Sequence, residues 1–339
     1  RGSDSADRPG ATLMSNTAES SAESKYRKVS SPYGFSMYDV EATAAIEKAS
    51  RAAQEIVKAH GFERIMPAMV DYPETFSESQ HSEMFSLKDN SGERLALRND
   101  ITAQVIKGYV RQIKRKSGVN LRKFYYAAPV YKDVRKNYPL PREIWQIGCE
   151  IVGENADSHL AELLTISQRI MREVFGHETA TQIADVRLRN IFAELAGPDY
   201  PAAERRRDAP FLVRILTDEF SVTEAEAREL ALWFFYPTPE KKIPQAVASL
   251  PDILQAAIGE AAAEAEKTIR LLAAAGITAI WQPLCEPRSS YYSGLFFETY
   301  ARGFTEPLVR GGVYNELVSR YAQIEAGACG FALDILQFS

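Results

Sequence analysis

Apolar residues along this chain change period several times, and each change marks an element. Ile46, Ala49, Ala53, Ile56 and Val57 recur at helical spacing and Gly61 follows His60, so a helix is expected over residues 40–60. Ser36, with Asp39 three residues on, has the form of a capping box at its start. The next stretch, FERIMPAMVDY, reads as a strand. Pro67 within it removes a ladder donor, which places the strand at a sheet edge or an interface. MFSLKDNSGERLALR alternates on either side of Asp89-Asn90-Ser91-Gly92 and predicts a hairpin. Helical spacing returns with Ile101, Val105, Ile106 and Val110, where Asn99 or Asp100 stands in the capping position.

LRKFYYAAPVYKD and EIWQIGCEIVG read as two more strands joined by a basic loop. Alternation from Ile144 to Val152 sets Gln146, Gly148 and Glu150 on one face. Leu160, Leu163, Leu164, Ile166, Ile170 and Val174 form an amphipathic helical pattern that stops at Gly176. From 186 to 275 the chain becomes rich in Ala, Glu and Leu, and a mainly helical insertion is expected there. Strands return in ITAIWQPL, YYSGLFFETYA and EPLVRGG, and the Gly-rich, then apolar GACGFALDILQF is expected to form a final helix. Hairpins and meanders flanked by helices predict an α+β fold with a mainly antiparallel sheet. Its core is assigned to 31–185 and 276–339. Residues 1–30 are expected to be a disordered segment: those through Ser24 are nearly free of large apolar side chains. The chain opens on Arg1, and residues before Met14 are not expected to contribute to the fold.

Composition narrows the function. The 339 residues are 45% hydrophobic and 25% charged, ordinary for a globular protein. No apolar run approaches the roughly 20 residues of a membrane helix, and no secretory signal is visible. Cys149, Cys285 and Cys329 are odd in number and far apart, which points to a reducing, cytoplasmic compartment. The four histidines are scattered, so no metal is expected. The net charge of −5 argues against general nucleic-acid binding. RQIKRKSGVNLRK is a local exception, either a solvated helix end or a contact for an anionic partner. Neither a GxGxxG nor a P-loop pattern is present, and no cofactor is expected.

Three groups of polar residues carry candidate chemistry. Asp100 and Thr102 sit at a helix start, as a cap or as a carboxylate and hydroxyl that hold an ammonium. Gln146 and Glu150 share a strand face, either solvated or forming the anionic wall of a pocket suited to an amine or an imidazole N–H. Tyr291 and Tyr292 precede an apolar strand. Adjacent side chains there are expected on opposite faces, one packed and one directed into a pocket, or both simply packed. The two glycines of RGGVYNEL mark a strand approached closely by a ligand or another backbone.

In this order the segments resemble the catalytic core of class II aminoacyl-tRNA synthetases, specifically histidyl-tRNA synthetase. The resemblance spans residues 31–338 and is strongest over 61–153 and 291–317. GFERIMPAMVDYPETF resembles the first family motif, which implies a dimer interface at Pro67 and a homo-dimer or larger assembly. LALRNDITAQV resembles the segment that binds the histidine amino group, QIGCEIVG the strand closing the second motif, and YYSGLFFE and GGVYNEL the histidine-specific tyrosine motif and the strand after it. A histidine site of Asp100, Thr102, Gln146, Glu150, Tyr291 and Tyr292 is thereby implied. Glu150 and Tyr292 would meet the two ring nitrogens.

The departures from the family fall on the nucleotide. Lys132 stands where the synthetase grips the α-phosphate with arginine, and lysine is a point charge rather than a bidentate fork. Val134 replaces the glutamate that reads adenine, Leu140 a later loop arginine, and Gln337 the arginine of the third motif. The arginine of the tyrosine motif aligns with Pro287. Arg288, one residue off, is expected to point elsewhere, and Ser290 replaces an acidic residue. The sequence also ends at the third motif, where a synthetase would continue into its anticodon-binding domain. This combination resembles the regulatory subunit family of ATP phosphoribosyltransferase. Membership implies no catalysis and no tRNA, histidine as ligand, feedback control, and a short-form catalytic subunit as partner. The alternative is a divergent synthetase-like enzyme that still forms an aminoacyl adenylate.

Overall fold

The structure is a computed structural model that describes residues 30–76, 82–114, 118–134, 141–220, 222–236, 247–248, 250 and 252–335. The N-terminal segment expected to be disordered lies, through residue 29, outside the described residues, as do Leu140 and Gln337.

Helix α1 (Val40–Ala59) buries Ala53, Ile56 and Val57 along one stripe. Its cap is Asp39, not Ser36: the Asp39 carboxylate accepts from the Ala42 N–H at 2.8 Å. After it come β1 (Glu63–Arg64), β2 (Val70–Asp71), β3 (Ser86–Lys88), β4 (Arg94–Leu97), α2 (Thr102–Ile113), β5 (Arg122–Tyr131), β6 (Glu143–Gly153), α3 (Leu160–Glu173) and β7 (Thr179–Asp185). Between residues 186 and 275 every regular element among the described residues is helical: α4 (Val186–Ala196), α5 (Tyr200–Arg206), α6 (Ala209–Phe220), α7 (Glu224–Phe235) and α8 (Asp252–Ala274), with short 3-10 turns. The chain closes with β8 (Ala279–Trp281), β9 (Leu295–Ala301), β10 (Val309–Val313), α9 (Asn315–Ser319) and β11 (Gly327–Asp334).

Eight strands form one sheet in the order β1-β5-β6-β11-β10-β9-β7-β8. It is antiparallel except for the outermost pairs, β1–β5 and β7–β8. β2, β4 and β3 form a separate small sheet. On one face of the large sheet, Tyr125, Ile147, Cys149, Ile151, Phe331 and Leu333 join a continuous core with α1, α3 and the insertion helices, including Leu164, Ile170, Phe192, Phe234 and Ile258. On the other face, Phe124, Tyr126 and Val152 pack with Ile101, Val105 and Tyr109 at the α2 end. Each large apolar side chain so buried contributes about 1.5–3 kcal/mol.

Two expected elements differ. FERIMPAMVDY is not one strand but two two-residue strands, with Pro67 between them and in neither. Proline offers no ladder donor, and the buried Arg98 side chain organises this turn instead. Its guanidinium donates to the carbonyls of Pro129 at 2.6 Å, Pro67 at 2.7 Å and Ala68 at 3.3 Å. The expected final helix is strand β11, seated between β6 and β10. A strand covered on both faces reads as an unbroken apolar run, which carries no period to separate it from a helix.

Candidate functional site

The second face of the sheet has a floor made of absent side chains. Register aligns Glu150, Gly330, Gly312 and Phe296 in one cross-strand row and Gly148, Ala332, Arg310 and Glu298 in the next. A Cβ at Gly330 would overlap the Glu150 carboxylate and reach the Tyr314 hydroxyl, and one at Gly148 would overlap the Tyr126 phenol. A Cβ at Gly312 would come within 2.8 Å of the Tyr292 ring. Above this floor lies a cleft of about 920 Å³.

Helix α2 and the turn before β9 bring polar groups to one end of the cleft. Asp100 Oδ1 caps α2 by accepting from the Ala103 N–H at 3.0 Å, while Oδ2 accepts from the Tyr291 hydroxyl at 3.1 Å. Thr102 donates through its hydroxyl to Glu150 Oε1 at 2.8 Å, and the Tyr126 hydroxyl reaches the same oxygen at 3.4 Å. The Tyr314 hydroxyl donates to Glu150 Oε2. Glu150 is 1% exposed. Burial pushes its carboxyl up to about 8, helped by the nearby Asp100 charge and opposed by the hydroxyls of Tyr314, Thr102 and Tyr126. Burial, with Asp100 next, also holds the Tyr292 phenol protonated, so it can donate at neutral pH.

Asp100, Thr102, Gln146, Tyr291 and Tyr292 all line the cleft. Glu150 lies just beneath, behind hydroxyls of three residues that do line it. The two tyrosines are not split between opposite faces. They sit in the turn that precedes β9, where side chains need not alternate, with ring centroids 5.2 Å apart. Tyr292 also stacks on Phe296 at 5.6 Å. Tyr126 and Tyr314 escaped the sequence reading. Tyr314 stands in the GGVYNEL segment singled out for its glycines, but its link to Glu150 depends on a register that periodicity does not reveal.

The other end is charged. Arg288 does not point away: it lines the cleft beside Pro287 and Ser290, 2.6 Å from Glu306 and 3.7 Å from Glu298. Arg310 lies 3.9 Å from Glu298 and 3.6 Å from Glu306. Glu298 also accepts from the Tyr300 hydroxyl at 2.6 Å. Lys132 and Val134 line the same cleft, with Lys132 3.7 Å from Glu83. In the basic stretch, Arg122 pairs with Glu63 at 2.6 Å and Lys123 with Glu162 at 2.7 Å; Arg115 and Lys116 lie outside the described residues. Among the described residues no three His, Cys, Asp or Glu side chains group as metal ligands, and no helix is long and apolar enough to cross a membrane.

A profile of histidyl-tRNA synthetase matches residues 34–337. The ATP phosphoribosyltransferase regulatory subunit of Verminephrobacter eiseniae is 30% identical over 304 residues, covering 86% of this chain and 76% of that protein. The chain belongs to the histidyl-tRNA synthetase family, among the ATP phosphoribosyltransferase regulatory subunits. Regulatory subunits of the same name from an Acidovorax species and from Thermus thermophilus are 29% and 28% identical. The alignments cover 86% and 83% of this chain and 76% and 75% of those proteins. The family's class II synthetase fold is equally clear in solved structures. An ATP phosphoribosyltransferase regulatory subunit/histidyl-tRNA synthetase from Bacillus halodurans superposes with a TM-score of 0.74 at 20% identity, over 93% of this chain and 83% of that one. A histidine–tRNA ligase subunit from Alicyclobacillus acidocaldarius gives 0.73 at 18%, over 93% and 97%.

Proposed function

We propose that the chain is a non-catalytic regulatory subunit of ATP phosphoribosyltransferase and that it senses free histidine in this cleft. The observation that carries the reading is the buried Glu150 carboxyl, held by the hydroxyls of Thr102, Tyr126 and Tyr314 under a cleft into which Asp100, Gln146, Tyr291 and Tyr292 converge. Asp100 and the Gln146 carbonyl suit the ligand ammonium. An imidazole N–H that displaces one hydroxyl meets the Glu150 carboxylate, and the Tyr292 hydroxyl donates to the other ring nitrogen. Lys132, a point charge without the bidentate fork of an arginine, and Val134, which cannot accept from an adenine amino group, support the absence of adenylate chemistry. Histidine then acts by favouring one assembly state over another, with a coupling of about 1–3 kcal/mol. The partner is a short-form catalytic subunit, the assembly is a homo-dimer or larger, the compartment is the cytoplasm, and no tRNA is bound.

Titration calorimetry of the full chain with histidine tests the pocket. Binding by the wild type and none by Glu150→Ala is expected, and absence of wild-type binding at millimolar histidine, alone and with the catalytic subunit, sinks the reading. Phosphoribosyltransferase assays with and without the chain test the partner: histidine inhibition that requires the chain is expected. Histidine-dependent ATP–pyrophosphate exchange by the pure protein would instead establish an adenylate-forming enzyme.

A further inference from the structure

Pro287 stands where the resemblance aligns the arginine of the tyrosine motif. Yet the cleft contains a cation on its floor. Arg310 projects from β10, on the same strand face as Gly312, whose missing side chain admits the Tyr292 ring. Between Arg310 and Tyr126 in the cross-strand row stand only Ala332 and Gly148. The Tyr126 phenol itself lies over Gly148, so along this row the methyl of Ala332 is the one side chain between that phenol and Arg310. Asp100 and the Glu150 group lie toward one end and Arg310 toward the other. Burial raises the Tyr292 phenol most, Asp100, Glu150 and Glu298 add to it, and Arg310 lowers it, so the phenol lies within reach of both ends of the cleft. The cleft thus offers a carboxylate at one end and, beside Glu298, a guanidinium at the other.

Arg310 is also the under-satisfied cation of the pair. Arg288 holds Glu306 at 2.6 Å. The contacts of Arg310 to Glu298 and Glu306, at 3.9 and 3.6 Å, are beyond hydrogen-bond range. Its Nε is buried and, among the described residues, meets no hydrogen-bonding group. A planar guanidinium in this state matches a carboxylate, which can accept two parallel N–H bonds from it.

The geometry points to Arg310 as the residue that binds the α-carboxylate of the ligand, supplied from the floor of the sheet rather than from the tyrosine motif. This assignment rests on the histidine-pocket reading. Arg310 is then what separates a free amino acid from its decarboxylated or reduced analogues.

The test is calorimetry of the full chain with histidine and with histidinol, which keeps the imidazole and ammonium but carries a hydroxymethyl in place of the carboxylate. The wild type is expected to prefer histidine by roughly 10- to 100-fold, the weight of a charge-assisted hydrogen bond. Arg310→Gln is expected to erase that preference by weakening histidine alone, and its histidinol binding reports that the pocket is folded. Arg310→Lys, which keeps charge without the fork, is expected to retain part of the preference. Equal weakening of both ligands by Arg310→Gln overturns the assignment, and so does loss of the preference in Arg288→Gln with Arg310→Gln unaffected. Wild-type binding of neither ligand overturns the pocket reading and this one together, whereas binding without a preference for the carboxylate overturns this one alone.

Discussion

Glu150→Gln separates the cost of a buried charge from the shape of the site. The side chain is 1% exposed and its carboxyl is pushed up to about 8 from the usual 4.5. Below pH 4.5 it is protonated both folded and unfolded, and its titration costs nothing. Between 4.5 and about 8 the unfolded chain releases this proton while the folded chain retains it. The unfolded state then binds fewer protons, so stability falls as pH rises across that window. Above about 8 the full penalty is present. At 1.36 kcal/mol for each pH unit of the window, the penalty is on the order of 5 kcal/mol. Glutamine keeps the shape, accepts from Thr102 and Tyr126 through its oxygen and donates to Tyr314 through its nitrogen, but does not titrate.

Denaturant or thermal unfolding from pH 5 to pH 9 reads this out. Near pH 5 the variant is expected to be close to wild type. By pH 9 it is expected to be the more stable protein, by up to about 5 kcal/mol, which raises its Tm by several degrees. Parallel stability–pH curves for the two proteins would refute the buried, protonated carboxyl, and with it the assignment of the three hydroxyls as its partners. A larger penalty in the variant at every pH would show that the amide cannot replace the acid in the ring.

Gly330→Ala places a methyl against the Glu150 carboxylate and Tyr314 hydroxyl. It is expected to cost about 1–3 kcal/mol of stability in urea titrations and to weaken histidine binding in calorimetry. Arg98→Ala strips the guanidinium from the carbonyls of Pro129, Pro67 and Ala68; a lower urea midpoint, by roughly 2–4 kcal/mol, is expected. Met66 is 87% exposed and flanks Pro67 near Met69 and Tyr72. Met66→Glu is expected to shift the sedimentation coefficient toward a monomer while leaving the circular dichroism spectrum unchanged.

Periodicity located the elements whose two sides differ. The stripe of Ala53, Ile56 and Val57 marked α1 to within a residue, and alternation marked β6 together with the shared face of Gln146 and Glu150. It failed where both sides are covered, as in β11, and where a side chain rather than a ladder holds the backbone, as Arg98 does beside Pro67. The site was legible in a different way. Asp100 and Thr102 stood out at a helix start and Tyr291 and Tyr292 before an apolar strand, but only motif order joined them, because nothing in their spacing brings residue 100 to residue 291. Tyr126, Tyr314 and Gly330 matter because of cross-strand register, which a single chain of letters does not encode. Arg310 was visible as a residue but not as a cation, because its meaning depends on what fails to reach it.

The same register explains why the buried carboxyl bears on function. A fold selected for stability alone has a simpler solution at residue 150, since an amide or an apolar side chain avoids the penalty of charge in the interior. Here the carboxyl is accommodated at some expense. Gly330 gives up its side chain so that the carboxylate fits, Gly148 so that Tyr126 fits, and Gly312 so that Tyr292 fits, each glycine weakening a strand interior. Three losses converging on one pocket wall make poor sense as packing. They make sense as room, with Tyr126 and Tyr314 bonded to a carboxyl that a ligand N–H can meet in its ionised form on displacing one hydroxyl. On the proposed reading, occupancy favours the ionised Glu150, so histidine affinity should rise with pH toward about 8, provided the ligand ammonium stays protonated. Affinity that falls over that range, measured by calorimetry in buffers of different ionisation enthalpy, would assign the ring to structure rather than to binding.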